Sequence, residues 1–167
     1  MNVKTIKRRR TIALKPLPYE FGALAPHISE KSLRMHYEVI NQCYLDRLNW
    51  LKDGTEFADL TTEEIIIRAA GKDYRMEMFT NATQAWCHAF YWRCLRPSGD
   101  EGPSVALRGV IDDSFGSLDA CKKALTLAAA AQAGNGWVWL VQEGIKMKVL
   151  ATGDTETPMT DGLKPLL

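Results

Sequence analysis

Apolar positions recur with helical spacing up to about residue 132 and then alternate over shorter runs. Pro16, Pro18, Gly22 and Pro26 keep residues 13 to 28 extended or turning, so a helix begins only after them. Ser29 suits an N-cap, Glu30 falls in the first turn, and Leu33, Val39, Ile40, Tyr44 and Leu48 supply an apolar stripe. This predicts a long amphipathic helix over 30–52, closed by Asp53 and Gly54. Thr61 and Glu64 form a capping box that opens a short helix through Ile65, Ile66 and Ile67 to Ala70, with Gly71 as its stop. A second long helix is predicted over 74–95, before Pro97 and Gly99. Its crowding of Phe79, Trp86, Phe90, Tyr91, Trp92 and Leu95 implies burial on more than one side. Two such helices bury their stripes most simply as an antiparallel hairpin.

Beyond the loop at 97–102, short helices are predicted over 103–114 and, with Ser117 as N-cap, over 118–132, ending at Gly134. Trp137 to Val141 and Ile145 to Ala151 then have strand character, with Met147, Val149 and Ala151 alternating against Lys146, Lys148 and Leu150. They read as an antiparallel hairpin around Gly144. In the last segment a turn at Asp161-Gly162 precedes apolar residues, as at the start of a third strand.

The 167 residues, 46% apolar and 25% charged, suffice for one compact unit or two small packed domains. A net charge of +1 creates no global field that argues for nucleic acid. The one basic cluster, Lys4, Lys7, Arg8, Arg9 and Arg10, is read as a solvated arm; nucleic-acid binding through it would require steep salt dependence. No apolar run approaches the roughly 18 residues of a membrane span, and no secretory signal opens the chain, so a soluble, cytoplasmic protein is expected. Cys43, Cys87, Cys94 and Cys121 form no C-x-x-C pair, which predicts free, mostly buried thiols in a reducing compartment.

Two histidines lie on apolar helix faces. His36 follows Leu33 by three and precedes Ile40 and Cys43 by four and seven; a hydrogen-bonded core histidine and a metal ligand both fit that spacing. His88 has Gln84 one turn before it and Tyr91 after it, a polar strip that requires partners once buried. Trp86, Tyr91, Trp92, Trp137 and Trp139 taken singly fit plain core packing. No Gly-rich phosphate loop, G-x-S-x-G elbow or H-E-x-x-H helix is present.

The wording of several segments is more specific than their rhythm. Leu17-Pro18-Tyr19-Glu20-Phe21-Gly22-Ala23-Leu24-Ala25-Pro26-His27-Ile28-Ser29, followed by Met35-His36-Tyr37, resembles the opening of iron/manganese superoxide dismutases. Phe79 to Trp92, with Gln84-Ala85-Trp86-Cys87-His88, resembles the second helix of that family. Ser114-Phe115-Gly116-Ser117, Gly134 to Val141 and Pro158 to Leu167 are similar to further family segments, in order and with family spacing.

The resemblance implies an α+β fold in which a long N-terminal α-hairpin packs on a C-terminal α/β domain with a small three-stranded antiparallel sheet. The expected division is a basic arm at 1–14, the hairpin domain at 15–98 and the α/β domain at 99–167, its third strand incomplete. It further implies that His36 and His88 are metal ligands, one from each hairpin helix. Tyr44 matches the tyrosine at the mouth of the substrate channel, and Trp86, Tyr91 and Trp137 match the aromatic shell. Gln84 matches the glutamine that bonds the metal-bound water in iron-type members, which favours iron over manganese. The implied activity is disproportionation of superoxide, in a homodimer once the chain is full length. The other two ligands, in the family motif Asp-x-x-x-His, are expected beyond Leu167, so the site is incomplete within the sequence given. Ile40 stands where the family has a histidine at the channel and dimer contact. That departure supports an alternative, a catalytically inactive remnant or interaction protein without a redox metal.

Overall fold

The structure, a computed structural model, describes residues 10–99 and 102–167. Lys4, Lys7, Arg8 and Arg9 of the basic arm lie outside the described residues. Residues 10 to 28 run without regular secondary structure over the outside of the helices, stapled there by hydrogen bonds. Asn49 accepts from Ile12 N–H and donates to its carbonyl at 2.9 and 2.8 Å. Lys52 Nζ donates to the Arg10 carbonyl at 2.7 Å, Tyr37 Oη to that of Lys15 at 2.6 Å, and Tyr19 Oη to that of Trp92 at 3.0 Å.

Helical backbone begins where the last proline releases it. Ser29 Oγ caps α1 (Glu30–Arg34), a π-helical segment covers Met35–Asn41, and α2 (Gln42–Lys52) ends at Asp53 before Gly54 at φ 69°. The predicted span is thus continuous, but its inner face differs. Leu33, Tyr37, Asn41 and Leu45 are buried at intervals of four, whereas Val39, Ile40 and Cys43 are exposed. A period of four exceeds the 3.6 of a regular helix, and the wider π turns accommodate it. The stripe expected through Val39 and Ile40 is corrected accordingly.

α3 (Thr62–Ala69) starts with the predicted capping box, in which Thr61 Oγ1 accepts from Glu64 N–H and the Glu64 carboxylate from Thr61 N–H. α4 (Met76–Cys94) follows a 3-10 turn at Asp73–Arg75. α2 and α4 run antiparallel, as the pairings Tyr37 with Trp92, Tyr44 with His88 and Arg47 with Glu77 show. Between α2, α3 and α4, Leu45, Leu48, Ile65, Ile66, Ala69, Met78, Ala82 and Ala85 close an apolar core.

α5 (Val105–Phe115) and α6 (Leu118–Ala131) precede the sheet, each capped by a serine, Ser104 and Ser117. β1 (Gly136–Glu143) pairs antiparallel with β2 (Lys146–Gly153) through the two-residue turn Gly144-Ile145. Gly144 at φ 62° takes the first turn position, as a type II′ turn requires. Ile145, expected in the strand, is therefore an exposed turn residue, and Ala151 is exposed as well. β3 (Lys164–Pro165) pairs antiparallel with β1, giving the order β2-β1-β3, and main-chain bonds between Leu140 and Leu166 and Leu167 continue that pairing. Because side chains alternate across a strand, β1 sends Trp139 and Val141 toward Cys87 of α4, and Leu140 toward Ile111 and Cys121 of α5 and α6. α4 is therefore the shared wall between the helical layer and the sheet. Of the four free cysteines, Cys87 and Cys121 are buried, Cys94 is half-buried and Cys43 is exposed, so fewer thiols are interior than expected.

Candidate metal centre

The polar side of α4 faces the π segment and the start of β1. His88, 4% exposed, and Gln84, 1% exposed, are one turn apart on it. Nδ1 of His88 donates to the Gln84 main-chain carbonyl at 2.8 Å, which fixes the ring and directs Nε2 at Nε2 of His36, 2.9 Å away. The two rings meet nearly perpendicular, their centroids 4.9 Å apart.

One proton satisfies that contact. With Nδ1 of His88 protonated, its Nε2 is an acceptor, and His36 donates from Nε2. Burial holds the pKa of both histidines below the ordinary value. For His88, the nearby His36 adds to the lowering, while the bond to Gln84 and the charge of Asp154 oppose it. The pair is thus two neutral imidazoles, the form that ligates metals. Moving the shared proton to Nδ1 of His36 frees both Nε2 lone pairs. Two Nε2 atoms 2.9 Å apart, both turned to the same point, would then suit one metal ion between the helices. Among the described residues, no group of three or more His, Cys, Asp and Glu side chains is placed to hold a metal.

Around the pair stands a wall of rings. Tyr44 of α2 lies 5.6 Å from His88 and Trp137 of β1 5.1 Å, edge to face, while Tyr91 lies 6.4 Å from His36. Burial raises the pKa of Tyr44, with Asp154 and Cys43 adding to it, so its hydroxyl keeps its proton well into alkali. Tyr91 is likewise raised by burial, and Cys94 adds to it. Beside the site, burial and then Asp154 push the Cys87 thiol far up, so it remains protonated and unreactive. Gln84 Nε2 donates to the Asp154 carbonyl at 2.6 Å.

Five of the seven side chains singled out in the sequence, His36, Tyr44, His88, Tyr91 and Trp137, converge here, while Gln84 meets His88 through its main-chain carbonyl and turns its amide to the Asp154 carbonyl, which Trp137 shares. Trp86 stands one ring back. It stacks on Phe90 at 5.1 Å, lies 6.0 Å from Trp139, and donates its indole N–H to Glu63. Three contributors were missed. Trp92 lies 5.0 Å from His36 and donates to buried Asn41 Oδ1. Trp92 follows His88 by one turn, a signal the spacing did offer. Asn41 was hidden by the π phase shift, and Asp154, which acts through its main-chain carbonyl and through its charge beside His88, Tyr44 and Cys87, carries no spacing signal.

The structure thus pairs one imidazole from each arm of a helical hairpin against a small three-stranded antiparallel sheet, an α+β protein with two candidate ligands between its layers. Two family models match: the alpha-hairpin domain of iron/manganese superoxide dismutases over residues 11–96, and their C-terminal domain over residues 103–167. The chain belongs to the iron/manganese superoxide dismutase family. It is 42% identical over 155 residues to the iron superoxide dismutase of Synechocystis sp., covering 93% of this chain and 78% of that one. It is 43% identical over 158 residues to that of Legionella pneumophila (94% and 80%), and 42% over 155 residues to that of Coxiella burnetii (92% and 78%).

Proposed function

We propose that the chain acts as an iron-type superoxide dismutase, converting two superoxide anions and two protons to dioxygen and hydrogen peroxide. The observation that carries this reading is the 2.9 Å approach of the His36 and His88 Nε2 atoms, both on neutral rings. The naming of the relatives as iron enzymes supports iron over manganese, as does Gln84 on α4. Iron bound there would supply a one-electron acceptor that becomes a donor on the next encounter.

The protein's share is positioning and proton control. His36 and His88 would hold the ion through Nε2, and the bond from His88 Nδ1 to the Gln84 carbonyl keeps that ring from turning. The amide of Gln84 donates one N–H to the Asp154 carbonyl and has a second that would serve a water beside the pair, and Tyr44 Oη retains its proton for donation. Trp137, Tyr91 and Trp92 limit solvent. Two imidazoles alone hold a metal weakly, so the reading requires an aspartate and a third histidine, which the family carries in the motif Asp-x-x-x-His after the wording that ends at Leu167.

The reading extends to a hairpin domain at 15–98 and an α/β domain at 99–167. It includes a cytoplasmic location, which the unpaired cysteines support. Among the described residues no helix is long and apolar enough to cross a membrane. It also includes a homodimer, supported by the exposed Met35, Val39 and Ile40 beside His36. The test is superoxide decay followed by stopped-flow absorbance, with iron measured in the same samples. Decay in proportion to bound iron is expected; stoichiometric iron without acceleration, or no iron or manganese bound, would exclude the reading.

A further inference from the structure

The turn after β2, residues 153 to 156, carries no ligand and no ring, yet it touches the site from two directions. The main-chain carbonyl of Asp154 accepts from Gln84 Nε2 at 2.6 Å and from Trp137 Nε1 at 3.3 Å. One acceptor thus meets an amide from α4 and an indole from β1. It also sets how the amide faces, because a carbonyl accepts only from the nitrogen side and leaves Oε1 turned away.

Glu156 closes this turn at three points. Its Oε2 accepts from Gly153 N–H at 2.7 Å, and its own N–H donates to the Gly153 carbonyl at 3.2 Å. Its carbonyl accepts from Thr152 Oγ1 at 3.4 Å, and that hydroxyl accepts from Trp139 Nε1 at 3.0 Å. The side chain is exposed, so it is not held there by core packing. The fit is close: a Cβ added at Gly153 would meet Glu156 Oε2 at 3.2 Å and Cδ at 3.5 Å.

We propose that Glu156 is a positioning residue: by bracing the 153–156 turn it fixes the Asp154 carbonyl, and through it the amide of Gln84 and the indole of Trp137. The kinetic consequence rests on the superoxide dismutase reading, whereas the brace itself does not. In that reaction Gln84 must face a water at the histidine pair in one orientation, and a loose turn would let the amide rotate away.

The test uses the full chain, isotope-labelled and dialysed free of metal, in solution NMR. A coupling across the hydrogen bond from Gln84 Nε2 to the Asp154 carbonyl carbon is expected in the unaltered protein; its absence there overturns the proposal. Glu156→Ala should remove that coupling and shift the Trp137 indole signal, while the backbone amides of Leu48 and Ile65 stay in place. Glu156→Gln, which keeps an acceptor and loses the charge, should restore both. Should Glu156→Ala not fold, Gly153→Ala, which crowds the same contact, is expected to weaken the coupling instead. Unchanged Gln84 and Trp137 signals in the variant that folds overturn the brace. In the iron-loaded protein, Glu156→Ala should slow superoxide decay about tenfold at equal iron content, the low end of what outer-sphere partners carry. An unchanged rate overturns the kinetic consequence. If the unaltered iron-loaded protein does not accelerate superoxide decay, the functional reading fails while the NMR result still decides the brace.

Discussion

The first long helix has two halves with different work. In α2 the spacing is regular, and Leu45 and Leu48 enter an apolar core that contains no chemistry. In the π segment the buried positions are Tyr37 and Asn41, a phenol and an amide, and His36 is turned toward α4. The same chain direction and the same partner helix thus give packing in one half, from which Tyr44 alone reaches the site, and a polar constellation in the other. The difference is the turn width, which trades a tidy apolar face for the placement of one imidazole.

The contrast can be broken by substitution. Leu48→Ala should have the largest effect on folding, about 2–5 kcal/mol of lost stability by chemical denaturation, because a fully buried leucine leaves a cavity. Asn41→Ala removes the acceptor of the Trp92 indole N–H, a buried pair, and should cost about 1–3 kcal/mol, read in the same way. Unlike Leu48→Ala, it should also disturb the His36 ring, visible in histidine NMR signals.

Tyr37→Phe should cost about 1 kcal/mol, the worth of one hydrogen bond to the Lys15 carbonyl. Burial, with Glu38 adding, raises the Tyr37 pKa above the ordinary 10.0. Its folded value therefore exceeds its unfolded one, so its contribution is full below about pH 10 and lost as pH rises through the folded value. Stability measured against alkaline pH should fall less steeply in Tyr37→Phe. Val39→Ser should change the folding stability of the single chain by no more than about 0.5 kcal/mol, because the side chain is exposed within it; a loss there as large as that of Leu48→Ala would restore the regular stripe.

These halves also differ in how far the sequence revealed them. The caps at Ser29, Thr61, Ser104 and Ser117 are local hydrogen-bond devices, although the helix after Ser104 was placed by its boundaries and not by its cap. The helix and strand spans follow from periodicity and from Gly and Pro. The π widening was not legible, since no residue type encodes it, and Val39 and Ile40 look like core in any regular phase. At the site, the histidines, Gln84 and three rings were singled out by family wording, whereas spacing left His36 open between core and ligand. Asp154 contributes a carbonyl that any residue has, so nothing in its identity announces it.

Binding of ferrous iron by the full chain, titrated anaerobically alongside His36→Ala and His88→Ala, tests the central assignment most directly. The unaltered protein is expected to bind one ion per chain, with either alanine variant losing at least about tenfold in affinity while keeping its fold. Equal affinity in all three proteins would contradict it, since an ion indifferent to both imidazoles is not held between them.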